Sequence, residues 1–277
     1  LTIADAVVVA ARTLADTSDT PRLDAEVLMA HALACTRSDL LLRHMHDPAP
    51  KGFAPLVERR ARHEPVAYIT GKQEFFGLTL AVSPDVLIPR GDSEVLVEQA
   101  LTTRPDAARV LDCGTGSGAL LLAGVGNLCR AGSVGVGRRE PAIAIARENA
   151  AALGLSRRAV MRRADWTVPG WTDGLGGAFD LVLANPPYVE TGAALKPNVR
   201  DFEPAGALFA GEDGLDAYRA LLPQLPSLLA PGGAVLVEIG AAQADTVSAL
   251  AAACGFAAEL RRDLAGRGRV LVLTRAA

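Results

Sequence analysis

Val110-Leu111-Asp112-Cys113-Gly114-Thr115-Gly116-Ser117-Gly118 passes from a short apolar strand through a glycine-rich turn into the start of a helix, and this junction decides the fold. In an α/β sheet, ligands gather at the carboxyl ends of strands, where glycines let the backbone approach a bound group closely. The helix N-terminus that follows suits a carboxylate. The spacing is Gly-x-Gly-x-Gly rather than the Gly-x-Gly-x-x-Gly of dinucleotide enzymes, and the turn has no Lys to make a phosphate-binding P-loop. A nucleoside without a pyrophosphate fits it better.

Outward from this turn, helical and strand patterns alternate. The sequence predicts helices over residues 93–103, 117–126, 141–153, 214–229 and 243–254, and strands over 109–112, 133–136, 159–163, 179–184 and 234–239. A final pair over 257–261 and 269–274 is close enough to form an antiparallel hairpin at one edge. Such alternation makes a doubly wound, mostly parallel sheet. The first seventy residues differ. Helical spacing over 3–15, 21–34 and 53–63, with Pro21 near one start and Pro65 after the last end, describes a small bundle. Glu74-Phe75-Phe76 and Leu78 to Val82, around Gly77, read as a hairpin.

A second stretch carries chemistry. The apolar run Phe179-Asp180-Leu181-Val182-Leu183-Ala184 ends in Asn185-Pro186-Pro187-Tyr188. Asn offers a carbonyl acceptor and an NH2 donor, and Pro has no N–H but leaves a carbonyl available. The Tyr ring adds a face for a planar group. Together they suit a planar nitrogen bearing two hydrogens, an exocyclic amine or a carboxamide, although Asn and Pro are also ordinary turn residues.

Composition narrows the field. Of 277 residues half are hydrophobic, the charged fraction is ordinary and the net charge is −3, which describes a folded chain without the broad cationic surface of nonspecific nucleic-acid binders. The Arg pairs, such as Arg157-Arg158 and Arg162-Arg163, read as replacement of Lys by Arg. Cys35, Cys113, Cys129 and Cys254 form no Cys-x-x-Cys pair and look like small buried hydrophobes in a reducing compartment. His44 and His46, two apart, could face the same side of a strand, but no Cys or carboxylate cluster completes a ligand set and no metal site is expected. No run is long enough to span a bilayer, and the N-terminus lacks the basic region of an export signal.

Further segments join these two: Arg22-Leu23-Asp24-Ala25-Glu26, Glu64-Pro65-Val66-Ala67-Tyr68-Ile69-Thr70-Gly71, Val86-Leu87-Ile88-Pro89-Arg90, Asp165-Trp166 and Asp201-Phe202-Glu203-Pro204. Gly211-Glu212-Asp213-Gly214-Leu215, Glu238-Ile239-Gly240 and Asp263-Leu264-Ala265-Gly266-Arg267 complete the set. With them the chain resembles, nearly end to end, S-adenosylmethionine-dependent methyltransferases of amino groups, and within these the release-factor glutamine methyltransferases of the HemK/PrmC family. The resemblance implies an α/β, Rossmann-like class I methyltransferase sheet with a small N-terminal helical bundle and a connecting β-hairpin. Residues 1–72 would recognise substrate, 73–90 would link, and 91–277 would form the methyltransferase domain. The implied reaction is transfer of a methyl group from S-adenosyl-L-methionine to the side-chain nitrogen (N5) of the glutamine in the Gly-Gly-Gln motif of bacterial peptide chain release factors. It implies a cytoplasmic enzyme, with a monomer as the default and no direct nucleic-acid or membrane partner.

By position, Gly114, Thr115, Gly116, Ser117 and Gly118 would wrap the methionine part and ribose of the cofactor, with Asp112 and Asn185 counted in the same set. Asp165 and Trp166 would flank adenine. Asn185 would accept a hydrogen bond from the glutamine amide, the Pro186 carbonyl would take a second, and Pro187 and Tyr188 would complete the substrate site, with Tyr188 against the amide plane. One departure stands out in Gly135-Val136-Gly137-Arg138-Arg139-Glu140: relatives carry an acidic ribose ligand where this chain has Gly137. Either Glu140 or a water substitutes, or cofactor affinity falls, or residues 124–139 reflect a locally altered reading frame. At Ser93, where relatives have Thr, the hydroxyl suits a helix N-cap. The competing readings are a glutamine methyltransferase of a ribosomal protein, a homologue that docks the release factor but binds cofactor poorly, and an adenine-N6 DNA or guanine-N2 RNA methyltransferase. The Asp92-Ser93-Glu94 run favours the release-factor branch, and the acidic net charge opposes the nucleic-acid enzymes.

Overall fold

The structure is a computed structural model that describes residues 1–128 and 132–276, so Cys129 and the middle of the 124–139 stretch lie outside the described residues. These residues form two compact units, one of 1–72 with 195–203 and one of 73–194 with 204–277.

The smaller unit is helical. Helix α1 (Ile3–Thr13) starts at a capping box: Thr2 Oγ1 accepts from the Asp5 amide while the Asp5 carboxylate accepts from the Thr2 amide. Helix α2 (Pro21–Ala32) has Pro at its first position, where the missing N–H costs nothing. A turn α3 (Arg37–Asp39) runs on into a π-helical turn, Leu40–His44. His44, at the end of that turn, has its Nδ1 2.8 Å from an Asp47 carboxylate oxygen. Helices α4 (Phe53–Ala61) and α5 (Val66–Thr70) complete the bundle, α5 ending at Gly71 in the left-handed conformation (φ 71°). Ile3, Val7, Leu14, Leu28, Met29, Leu40 and Phe53 fill the core. Two ion-pair groups are built into it: Arg60 with Asp24 at 2.7 Å, both largely buried, and Glu26 between Arg22 (2.6 Å) and Arg37 (2.7 Å). The segment 195–203, with its helical turn Pro197–Arg200, belongs to this unit, and Lys196 reaches Asp19 at 2.5 Å.

Beginning at the last residue of the first stretch, β1 (Lys72–Phe75) pairs with β2 (Leu78–Ala81) of the larger unit as a hairpin. Its two-residue turn places both Phe76 (φ 49°) and Gly77 (φ 73°) in the left-handed region, which matches the twist of paired strands. Helix α6 (Glu94–Thr103) follows, then β3 (Arg109–Cys113), α7 (Ala119–Asn127), β4 (Gly132–Gly137), α8 (Glu140–Ala152), β5 (Ala159–Arg163) and β6 (Phe179–Ala184). The strands β7 (Leu229–Glu238), β8 (Phe256–Arg262) and β9 (Gly268–Arg275) close a seven-stranded sheet of order β5-β4-β3-β6-β7-β9-β8. All pairs from β5 to β7 are parallel; β9 runs antiparallel to both β7 and β8, the edge hairpin expected. Apolar clusters cover both faces, one including Leu96, Leu121, Ile143 and Leu183, the other Leu111, Phe179, Tyr218 and Val235. The helix expected over 214–229 is cut short. Its α-helical part is Asp216–Leu221, and Leu222–Leu228 continue as a 3-10 helix, because Pro223 and Pro226 supply no N–H and their rings crowd the preceding turn.

Sheet order fixes where a ligand can sit. From β3 the chain steps outward to β4 and β5, then returns to the other side of β3 as β6. The strand order therefore reverses between β3 and β6, and a crevice opens at their carboxyl ends.

Candidate active site

Both chemistry-bearing stretches end at that crevice. Cys113 pairs with Ala184 in the β3/β6 register, so Gly114 and Asn185 are the next residues of neighbouring strands. A cavity of about 630 Å³ opens there, a volume suited to a small organic ligand. Gly114, Thr115, Gly116, Ser117, Asp165, Trp166, Asn185 and Pro187 line it together with Gly137. Asp112, Gly118, Pro186 and Tyr188 are not among the lining residues.

The glycine turn is held from below. The Gly114 and Thr115 amides both donate to the Val136 carbonyl at 2.9 Å, and Gly114, Gly116 and Gly118 all have positive φ. A Cβ at Gly114 would stand 3.0 Å from the Trp166 ring, so glycine is what allows the indole to close over the turn. Asp112 is wholly buried and accepts from Thr115 Oγ1 at 2.7 Å. Burial raises its pKa to about 7, the Thr115 bond opposing the shift. It braces the turn from behind. Gly118 serves packing, since a Cβ there would meet Leu122 Cδ1 at 3.0 Å.

The wall opposite is the loop after β5. Although burial opposes it, hydrogen bonds from the Thr167 amide and hydroxyl hold the Asp165 carboxyl below its usual range. Gln224 fixes the loop at two points, donating to the Trp166 carbonyl at 2.9 Å and accepting from Trp171 Nε1 at 2.6 Å. At the β4 tip Gly137 itself lines the cavity where the acid was expected. Glu140 pairs with Arg147 at 2.6 Å and does not line the cavity, whereas Arg138 and Arg139 do. Arg139 is paired at 2.6 Å with Asp85, a lining carboxylate brought by the segment after β2.

Around the β6 tip two partly buried hydrogen bonds are made. Asn185 Nδ2 donates to Ser93 Oγ at 3.3 Å. Ser93 makes no helix-capping bond, contrary to its expected N-cap role; its hydroxyl oxygen accepts from Asn185. Glu238, 1% exposed, accepts from the Tyr188 hydroxyl at 3.4 Å. Burial raises the Glu238 pKa, with Ser93, Arg269 and Tyr188 opposing. Burial, and then the Glu238 charge, push the Tyr188 phenol up to about 12. Sequence reading singled out neither Glu238 nor Asp85 as a site residue. The signals for Glu238 were an acidic side chain ending a largely apolar strand and its place in the Glu238-Ile239-Gly240 segment that carries the resemblance.

A cavity at a sheet reversal, lined by a glycine turn and by Asn185 and Pro187 of the strand tip, suits a methyltransferase. The profile of the methyltransferase small domain matches residues 91–202 and that of the PrmC N-terminal domain matches residues 5–71. The chain belongs to the release factor glutamine methyltransferase family. It is 41% identical to the release factor glutamine methyltransferase of Caulobacter vibrioides, over 92% of this chain and 89% of that protein. It is 44% identical to the Geobacter sulfurreducens protein of the same description, over 85% and 82% of the two chains. Among solved structures, a methyltransferase from Pyrococcus furiosus shares the fold at 18% identity, with a TM-score of 0.54 over 79% of this chain and 99% of that one. No helix among the described residues is long and apolar enough to cross a membrane.

Proposed function

We propose that this chain methylates the side-chain amide nitrogen of the glutamine in the Gly-Gly-Gln motif of bacterial peptide chain release factors, with S-adenosyl-L-methionine as donor. The observation that carries this reading is the shared cavity at the ends of β3 and β6, with Asn185 Nδ2 turned back to Ser93 and its Oδ1 left as an acceptor. The names of the curated relatives supply the substrate.

The residues fit such a donor. The open glycine turn beside the N-terminus of α7 accommodates an amino-acid carboxylate, and the Trp166 indole with Asp165 offers a stacking face and an acceptor for adenine. The ribose end is the exception, with Gly137 in place of a carboxylate. A bound sulfonium supplies an already activated methyl group. An amide nitrogen is a poor nucleophile, so alignment is the protein's main contribution. Asn185 Oδ1 and the Pro186 carbonyl accept the two amide N–H bonds and place partial negative charge where positive charge develops on nitrogen. The proton leaves after transfer, and no general base is required of the chain. Residues 1–72 recognise the protein substrate, 73–90 link, and 91–277 carry out transfer. The enzyme acts in the cytoplasm as a monomer, without nucleic acid.

Incubation with a purified release factor and labelled cofactor, followed by mapping of the modified residue, tests this directly. Asn185→Ala abolishes transfer while calorimetry still detects cofactor binding; retained transfer refutes the assignment. The missing acid at Gly137 sustains one second reading, a homologue that docks the release factor only. Undetectable cofactor binding by the native chain would select it.

A further inference from the structure

Two segments that carry the sequence resemblance, Gly211-Glu212-Asp213-Gly214-Leu215 and Glu238-Ile239-Gly240, contribute only Gly211 to the lining of the cavity. Gly214 and Gly240 meet instead around one side chain behind the β6 tip. It belongs to Gln243, which precedes the helix Ala244–Ala253 and makes no capping bond to it.

The tip has few backbone groups by which to be held. Pro186 and Pro187 have no N–H, and the chain pairs again with a neighbouring segment at Val189, whose amide donates to the Leu208 carbonyl at 2.9 Å. Just before that point Gln243 catches it. Gln243 Nε2 donates to the Tyr188 carbonyl at 3.2 Å and to the Gly214 carbonyl at 3.3 Å, while Oε1 accepts from the Gly240 amide at 3.0 Å. All three partners are backbone groups of fixed polarity, so the carboxamide has one orientation: oxygen to the N–H, both hydrogens of the nitrogen to the carbonyls. The two glycines make room for it. A Cβ on Gly240 would stand 2.8 Å from Gln243 Oε1, and a Cβ on Gly214 would overlap the Tyr188 carbonyl. The grip extends to the cavity wall, because Phe209, Ala210 and Gly211 line it and the Ala210 amide donates to the Val189 carbonyl at 2.9 Å.

We propose that Gln243 is a positioning residue for methyl transfer: by holding the Tyr188 carbonyl beside Gly214 it sets the path of the Pro186-Pro187 run, and with it the place of the Asn185 and Pro186 acceptors. This rests on the function proposed above. Gln243 does not itself line the cavity. It acts through the chain, since prolines with φ fixed near about −65° pass a displacement at Tyr188 back toward Asn185 instead of absorbing it. Misplaced acceptors cost rate because alignment is what the protein supplies.

The test compares Gln243 variants by kcat and KM for release-factor methylation, with cofactor affinity by calorimetry and the denaturation midpoint measured on the same preparations. Gln243→Glu keeps the length and the acceptor for Gly240 but turns an oxygen toward two carbonyls. It lowers kcat about 10- to 100-fold, as a small misplacement of aligned groups does, and leaves KM and cofactor Kd within about twofold of native. Gln243→Lys still donates to the carbonyls but cannot accept from Gly240; it lowers the midpoint as Gln243→Glu does, yet keeps kcat within about threefold of native. Loss of rate therefore follows loss of the donors and not loss of stability. Native kcat in Gln243→Glu, an equal loss in Gln243→Lys, or a loss carried by cofactor Kd would overturn the proposal. Should Gln243→Glu fail to fold, Gln243→Met, an uncharged chain of similar length that donates nothing, takes its place with the same expectation. The underlying function fails differently: the native protein then binds cofactor and methylates no release factor.

Discussion

Restoring a carboxylate at the β4 tip is the sharpest test of how the cofactor end of the cavity works. Gly137 does not have a left-handed φ, so the backbone admits a side chain, and its Cβ would stand 3.3 Å from Ile143 Cδ1, the movable end of a flexible group. Arg138 and Arg139 line the same cavity and keep an added carboxyl ionised. Hydrogen bonds from ribose hydroxyls to a charged acceptor contribute about 1.5–3 kcal/mol. Pushing Ile143 aside and drawing on the two arginines offset part of that. A net gain of about 1–2 kcal/mol remains, so Gly137→Asp binds S-adenosylmethionine roughly 5- to 30-fold more tightly than the native chain. Isothermal calorimetry measures this, with Gly137→Ala as the control that adds the Cβ without the charge. If Gly137→Asp binds no tighter while Gly137→Ala binds as the native chain does, the ribose does not lie at this strand tip and the reasoning fails.

Other perturbations report on the framework. The Asp112 pKa, raised to about 7 by burial from an ordinary 3.8, makes the folded state hold a proton that the unfolded chain releases, so stability is full at acid pH and falls as pH rises through this window. The shift corresponds to on the order of 4 kcal/mol, and Asp112→Asn removes that slope; parallel native and variant profiles in urea melts from pH 4 to 8 would count against it. In the helical unit, Asp24→Ala leaves the Arg60 charge buried and unpaired and costs about 3–5 kcal/mol, read from the first transition in chemical denaturation. Trp166→Ala removes the face that closes on the glycine turn and weakens cofactor binding by about 1–3 kcal/mol; unchanged affinity in calorimetry would exclude stacking there.

Much of the architecture was legible because local signals and packing agree. The strand over 179–184 is apolar at every position but Asp180, as a strand covered on both faces tends to be, and it falls where the sequence placed it. The helix over 214–229 was misread because its apolar spacing outweighed Pro223 and Pro226, which convert its second half to a 3-10 helix. The helical turns at 37–44 escaped notice because Thr36, their cap, is followed by an apolar run too short to show a period. At the site, Gly114 and Asn185 announced themselves through residue type. Asp85 did not: its place at the cavity comes with its pairing to Arg139, remote in sequence, and no spacing along the chain encodes that meeting.

The segment 195–203 belongs to the helical unit although it is made long after residues 1–72. A ribosome adding about 5–20 residues per second needs roughly 6–25 s to travel from residue 72 to residue 195. During that interval the bundle exists without the strip that carries Lys196 to Asp19. The chain therefore cannot fold strictly from its beginning to its end. Its first unit is finished only by a stretch that emerges after the Asn185 tip, which ties completion of the helical unit to the synthesis of the catalytic one.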